Sequence, residues 1–178
     1  MRTALAMMGG VAPEAIQERV AASVAHLGLV ARLVAPTLVA PLVPLPVSLE
    51  NAWWQAQVGG PYPLSLTRSE PPGGQGLPEP VTQLTEAVLR CAEVSAKVLW
   101  GNVASAVNSA AVQASAAAPE YTTAAYRAAE ALLRDAPLDA QAPVVGKAFQ
   151  RNSCCLIYRI APGPASRRTV CGDCVLRG

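Results

Sequence analysis

Four cysteines, Cys154, Cys155, Cys171 and Cys174, crowd into a short stretch near the carboxyl end of the chain, while Cys91 stands alone upstream. Their pattern is C-C-x15-C-x2-C. Thiolates are soft ligands, so four of them suit either zinc or an iron–sulfur cluster. Structural zinc sites usually draw on two knuckles of the C-x2-4-C type, and only Cys171–Cys174 is such a knuckle. Adjacent Cys154 and Cys155 point apart in a regular strand. Both reach one site only if the backbone bends there or the site is wide, and a two-iron cluster is wider than one zinc ion. On spacing alone, iron–sulfur, zinc and a disulfide or redox dithiol all stay open.

The charge is distributed to match. Residues 1–150 carry a net −2, whereas residues 151–178 carry Arg151, Arg159, Arg167, Arg168 and Arg177 against Asp173, a net +4. Cations beside a thiolate-held cluster favour its more negative, reduced form. The same cations attract an anionic substrate or steer an acidic electron donor, and an exposed arginine-rich loop can also be merely solvated. A net charge of +2 for the whole chain, without basic residues interleaved with aromatics, argues against nucleic-acid binding. At 178 residues there is no room for a separate flavin or nicotinamide module, so electrons must come from a partner.

The elements that must position this tail read as helical. With 52% hydrophobic residues but only 4% aromatic, the core must be built largely from small side chains, as in closely packed helices. Pro13-Glu14 looks like a first helical turn, followed by Ile16, Val20, Val24, Leu27, Ala31 and Val34 at helical spacing. Pro36 and Pro41 limit its continuation, leaving Thr37–Val43 at most a short separate turn. Residues 49–58 and 61–67, around Gly59-Gly60-Pro61, read as a β-hairpin over 49–67, with Pro63 confining that strand to an edge. Ser69 to Pro80 is a loop. Val81, Leu84, Val88, Cys91, Val94 and Val98, then Val103 and Val107, suggest one long helix from Pro80 towards Ala117, weakened at Gly101. Pro119-Glu120 starts another, which runs to about Asp135 and ends before Pro137. The fold class expected is mainly α: a helical domain over 1–150 with the small hairpin, and a cysteine-rich segment at 151–178.

Other residues have plainer expectations. Cys91 falls on the apolar helix face and reads as a buried small hydrophobe. His26, the sole histidine, reads as structural, and with one histidine a two-histidine Rieske site is excluded. Trp53, Trp54 and Trp100 read as packing residues, with Trp100 also a candidate for substrate contact. Tyr158 is expected beside the cluster, and Asp173 to brace the knuckle turn. Arg32 and the prolines Pro36, Pro41, Pro44 and Pro46 break up the apolar run at 29–49, so no membrane span is expected. The apolar stretch after Arg2 soon meets Gly9, Gly10 and Pro13, too short for a signal peptide. The expected location is the cytoplasm, where clustered cysteines bind metal or do redox chemistry.

The run S-C-C-L-x-Y-R at Ser153–Arg159 and C-G-D-C-x-L at Cys171–Leu176 resembles the FhuF family of ferric-siderophore reductases; Trp100-Gly101-Asn102 with Ala104-Ser105 is similar to a W-G-N segment in such helical proteins. The chain departs from the family in the longer spacing between its cysteine pairs and in lacking an amino-terminal portion that usual members have. The resemblance implies a mostly helical fold and a [2Fe-2S] cluster held by Cys154, Cys155, Cys171 and Cys174. It also implies one-electron reduction of Fe(III) in ferric siderophores, releasing Fe(II). The implied partners are the ferric siderophore, a ferredoxin-like donor and, transiently, a siderophore importer. Candidates for substrate or donor binding are Arg151, Arg159, Arg167, Arg168 and Trp100. The alternatives are an iron–sulfur carrier or sensor without siderophore specificity, and a four-cysteine zinc-stabilised binding module.

Overall fold

The protein is described by a computed structural model that covers residues 1–39, 47–55, 63–68, 76–141, 145–146, 148–160 and 170–176. Its helices are α1 (Arg2–Gly9), α2 (Glu18–Val39), α3 (Glu79–Cys91), α4 (Ala96–Ala117) and α5 (Thr122–Arg134), with single 3-10 turns at Pro13–Ala15, Pro119–Tyr121 and Ile157–Ile160. The fold is mainly helical, with the cysteine-rich segment following the last helix. Strands β1 (Val47–Trp54) and β2 (Leu64–Arg68) pair antiparallel, Val47 opposite Arg68 and Trp54 opposite Leu64, with an irregular register between Ser48 and Trp53. Residues 56–62, where the turn was expected, lie outside the described residues, so the closed hairpin expected at 49–67 is not part of what the structure shows.

Helix α4 is the centre of the molecule and packs against both α2 and α5. Val30, Val34 and Leu38 of α2 meet Val103, Ala104, Val107 and Ala111 of α4 and Ala125, Ala129 and Leu133 of α5 in one buried cluster. Alanine at so many contact positions lets helix axes approach closely. Each fully buried valine or leucine contributes about 1.5–3 kcal/mol of transfer free energy. A second, smaller cluster joins Leu5 and Ala6 of α1, Ile16, and Val20 and Ala21 of α2 to Ile160, with Leu156 and Ile157 against it. That cluster holds the cysteine-rich segment to the amino-terminal helices. The fit is tight at Gly9, where an added Cβ would lie 2.1 Å from the carbonyl oxygen of Ile160.

Three helix expectations need correction. The long helix from Pro80 is two helices: α3 ends at Cys91 with Ala92 extended, and Ser95 starts α4 by accepting a hydrogen bond from the Val98 N–H at 3.4 Å. Periodicity cannot see this break, because an N-capping serine interrupts the backbone without interrupting the apolar spacing. Pro36 does not end α2, which runs to Val39 with the proline inside its last turn and gives up the one hydrogen bond that its N–H would have made. As a result α2 is long and apolar enough to cross a membrane by length and composition, at a mean hydropathy of 1.6, contrary to the expectation from the sequence. Its buried face nevertheless carries Ser23 and His26, both fully shielded from solvent.

Candidate metal centre

The segment that carries the first two cysteines lies along α4. Ser153 packs over Gly101, the glycine of Trp100-Gly101-Asn102, where any Cβ would collide with its hydroxyl. Thus Gly101 is a contact surface rather than a weak point in the helix. Asn152 anchors the same segment to the loop after α5, donating from its backbone N–H to Gln141 O at 2.7 Å and from its side chain to Ala140 O at 3.0 Å. The second cysteine pair is docked beside it. Asp173, in the knuckle, accepts a hydrogen bond from Ser105 of α4, and its backbone carbonyl accepts from the Arg151 N–H at 3.3 Å. Gln150 donates to Cys174 O at 3.2 Å.

These contacts bring all four tail thiols together. The Sγ atoms of Cys155 and Cys171 are 3.5 Å apart, and Cys154 interacts with both Cys155 and Cys174, so the sulfurs form a chain 171–155–154–174. The neighbouring Cys154 and Cys155 reach the same site because the backbone bends: Leu156 takes a left-handed conformation, φ 68°. For a bulky side chain that costs about 1–2 kcal/mol, and it turns peptide N–H groups back onto sulfur. The Leu156 N–H points at Cys154 Sγ at 3.3 Å and the Ile157 N–H at Cys155, while at the knuckle the Leu176 N–H points at Cys174 Sγ at 3.3 Å.

The thiol ionisation follows from this arrangement. Cys155 lowers the pKa of Cys154 by hydrogen-bonding to it, against the effect of burial and with help from the Leu156 N–H. The same bond raises Cys155. Cys171 is pushed up strongly by its bond to Cys155 and by burial, with Arg151 opposing.

Behind the sulfurs lies a polar chain that crosses the helical core. Arg151 is 1% exposed, and its guanidinium donates to Cys171 Sγ at 3.0 Å and to Asn102 Oδ1 at 2.8 Å. The other end of the Asn102 amide donates to Ser23 O at 3.0 Å and Ser23 Oγ at 3.2 Å and faces His26 Nδ1 at 3.5 Å. Ser23 Oγ donates to the carbonyl of Cys155 at 2.9 Å. Because Asn102 presents its NH2 to His26 Nδ1, the imidazole proton belongs on Nε2, which meets Thr85 Oγ1 at 3.0 Å; Thr85 in turn donates to Val81 O at 2.7 Å. Burial lowers the His26 pKa to about 4, so the ring is neutral. Burial alone would weaken the Arg151 charge, but Cys155, Cys171 and Asp173 hold its pKa above the usual arginine value.

Several expected roles move. Arg151 is buried and turned inward, so it meets neither substrate nor donor. Arg159 is exposed, lies over the Tyr158 ring at 5.6 Å and donates to Tyr158 Oη at 3.1 Å. Arg167 and Arg168 fall outside the described residues. Trp100 is half-buried and packed against the main core. Trp53 is 75% exposed, not packed. Cys91, at the last position of α3, is exposed rather than buried because the helix ends there. Asp173 braces the knuckle through α4, using its side chain. Asn102, Ser23 and Ser105 were not anticipated as parts of the site; the W-G-N segment with its following Ala-Ser signals Asn102 and Ser105, and nothing in the sequence pattern signals Ser23.

The donor set can be tested against the group that the cysteines suggest. Among the described residues no three His, Cys, Asp or Glu side chains are grouped to hold a single metal ion. A two-iron cluster asks instead for two sulfurs at each iron, which a four-thiol chain supplies. Peptide N–H groups aimed at sulfur are the second-shell contacts that tune such clusters. Arg151 Nε, on the guanidinium that donates to Cys171 Sγ, is buried with no hydrogen-bond partner among the described residues. The residues fit a [2Fe-2S] cluster. No match was found among curated proteins or solved structures. Residues 151–176 match the family model of the FhuF 2Fe-2S C-terminal domain, a span that takes in all four clustered cysteines and Arg151. Fit and match agree: the segment 151–176 is similar to the FhuF 2Fe-2S C-terminal domain, and its four cysteines support a [2Fe-2S] cofactor.

Proposed function

We propose that the protein reduces Fe(III) held in ferric siderophores by single-electron transfer and so releases Fe(II) for use inside the cell. Cys154, Cys155, Cys171 and Cys174 hold the cluster in this reading, on a segment, 151–178, carried by the helical residues 1–150. When bound, the cluster supplies single electrons at a potential set by its surroundings. The observation that carries the reading is the half-exposed rim of the thiol site. Cys154 and Cys171 are half-buried, and Val175 and Leu176 are exposed beside them, while the inner side is sealed by Arg151 and α4. An electron can leave through that rim to a chelate that merely touches it, without a substrate cavity. Two surface clefts, one at Gln17–Arg19 with Cys91–Glu93 and one between α2 and α4, lie away from the thiols and are not needed.

The balance is simple: one electron from an external ferredoxin-like donor reduces one ferric ion, no covalent bond of the chelate breaks, and Fe(II) is held less tightly by hard oxygen ligands. A cytoplasmic location, with transient contact at a siderophore importer, follows from that role. It is also supported by the polar residues on the buried face of α2, which belong in a protein core and not in lipid. The deciding experiment mixes dithionite-reduced, desalted protein anaerobically with ferric hydroxamate and ferric catecholate chelates and follows Fe(II) with a chromogenic chelator. Stoichiometric Fe(II) with reoxidation of the protein is expected. A reduced protein that none of the chelates reoxidises is a carrier or sensor instead.

A further inference from the structure

We infer that Arg151 is the buried counter-ion of the cluster, a positioning residue that acts through the Cys171 sulfur to favour the reduced state. This inference rests on the [2Fe-2S] cofactor and not on the identity of the substrate.

A guanidinium cannot shed its proton, so a buried arginine needs an anion or must repay several kcal/mol of desolvation by other means. Arg151 is the largest fully buried side chain among the described residues. Its hydrogen bonds go to a neutral amide, Asn102 Oδ1, and to a sulfur, Cys171 Sγ. The Asp173 carboxylate also acts on Arg151 through space, but among the described residues it forms no ion pair with the guanidinium and accepts its side-chain hydrogen bond from Ser105. The side-chain ion pairs among the described residues, Glu86–Arg90 and Glu130–Arg134, are elsewhere and solvent-exposed. The anion that this cation is built to face is therefore the thiolate set with its cluster. Asn102 fixes the guanidinium from behind, and Ser23 and His26 fix Asn102, so the charge is held still while the cluster gains an electron. A fixed buried charge is scarcely screened by salt, unlike a charge at the surface.

The test measures midpoint potentials of cluster-loaded, anaerobically purified variants at low and at high salt, with cluster content read from the visible spectrum. Arg151→Gln removes the charge and should lower the reduced-to-oxidised ratio at a given potential about tenfold, a fall of about 59 mV for one electron, and the fall should persist at high salt. Arg151→Lys keeps the charge and should stay within about threefold of the unmodified protein. Asn102→Asp leaves Arg151 on Cys171 but sets a carboxylate against it, and should lower the ratio in the same direction. If Arg151→Gln fails to take up the cluster, Asn102→Asp decides. A loaded Arg151→Gln or Asn102→Asp protein with an unchanged potential overturns the inference, as does an Arg151→Lys protein that falls as far as Arg151→Gln. An unmodified protein without a [2Fe-2S] spectrum would instead remove the cofactor, a separate failure visible before any variant is made.

Discussion

The hydroxyl of Ser153 occupies the space that a side chain at Gly101 would need: an added Cβ would lie 2.0 Å from Ser153 Oγ and 3.4 Å from Ser153 Cβ. Inside a helix, glycine to alanine is normally stabilising by about 1 kcal/mol. Here Gly101→Ala should do the opposite, costing about 1–3 kcal/mol from overpacking and loosening the cluster. Adding Ser153→Ala removes the offending oxygen and leaves an ordinary contact, so the double variant should recover most of the loss. Thermal unfolding and cluster retention measure both, and a Gly101→Ala protein as stable as the parent refutes the contact.

The ligand set is testable one thiol at a time. Cys154→Ser, Cys155→Ser, Cys171→Ser and Cys174→Ser should each lower cluster occupancy at least about tenfold. Cys91→Ser, at the exposed end of α3, should leave the visible spectrum intact. A full spectrum in any of the four tail variants would assign the cluster to other ligands.

Leu156 is the residue whose left-handed backbone lets adjacent cysteines share a site. Leu156→Val keeps the side chain apolar but puts a β-branched residue where φ is positive, and should weaken cluster retention by about 1–2 kcal/mol. Leu156→Gly, which relieves the strain while losing packing against the second core cluster, should retain the cluster better than the valine variant. Chelator challenge ranks the two. The reverse order would mean that packing, not backbone conformation, sets the turn.

His26 gives stability a defined pH dependence. Its pKa falls from 6.5 to about 4 on folding, so the unfolded chain binds the proton more readily. Its contribution is therefore intact above pH 6.5 and is lost as pH falls from 6.5 towards 4, the accumulated loss reaching about 3 kcal/mol at the acid end. Urea unfolding across that window should show the slope, and His26→Gln should flatten it. An unchanged slope in the variant would place the acid sensitivity elsewhere.

Arg167 and Arg168 supply a test by charge alone. Arg167→Ala with Arg168→Ala should keep the cluster but slow reduction of ferric chelates most at low ionic strength, and the gap should close as salt rises. Stopped-flow rates at several salt concentrations measure this. Equal rates at low salt would leave these arginines as loop solvation.

Spacing left iron–sulfur, zinc and a dithiol open until the family resemblance chose among them, but the location of the metal centre was legible because four cysteines sit in a nearly continuous stretch. The same is true of α2 and α5, whose apolar residues recur at helical intervals. What spacing could not reveal depends on partners distant in sequence. Arg151 looks like one of five similar cations, and only its contact with Asn102, 49 residues away, makes it a core residue. The polar groups of Ser23 and His26 interrupt an apolar face without breaking its period, so their pairing with α4 leaves no trace in the pattern. The break at Ser95 was hidden in the same way, and Pro36 misled because the helix continues for one more turn past the proline despite the lost hydrogen bond.

The Asn102 amide has consequences for how such a protein can diverge. Its oxygen serves the arginine and its nitrogen serves the serine and histidine, so no other side chain of that length offers an acceptor and a donor at once. Position 102 can therefore change without losing these contacts only in concert with 23, 26 and 151. Relatives that have lost the asparagine should have lost or replaced the arginine as well, a linked substitution to look for wherever this tail is joined to a new helical frame.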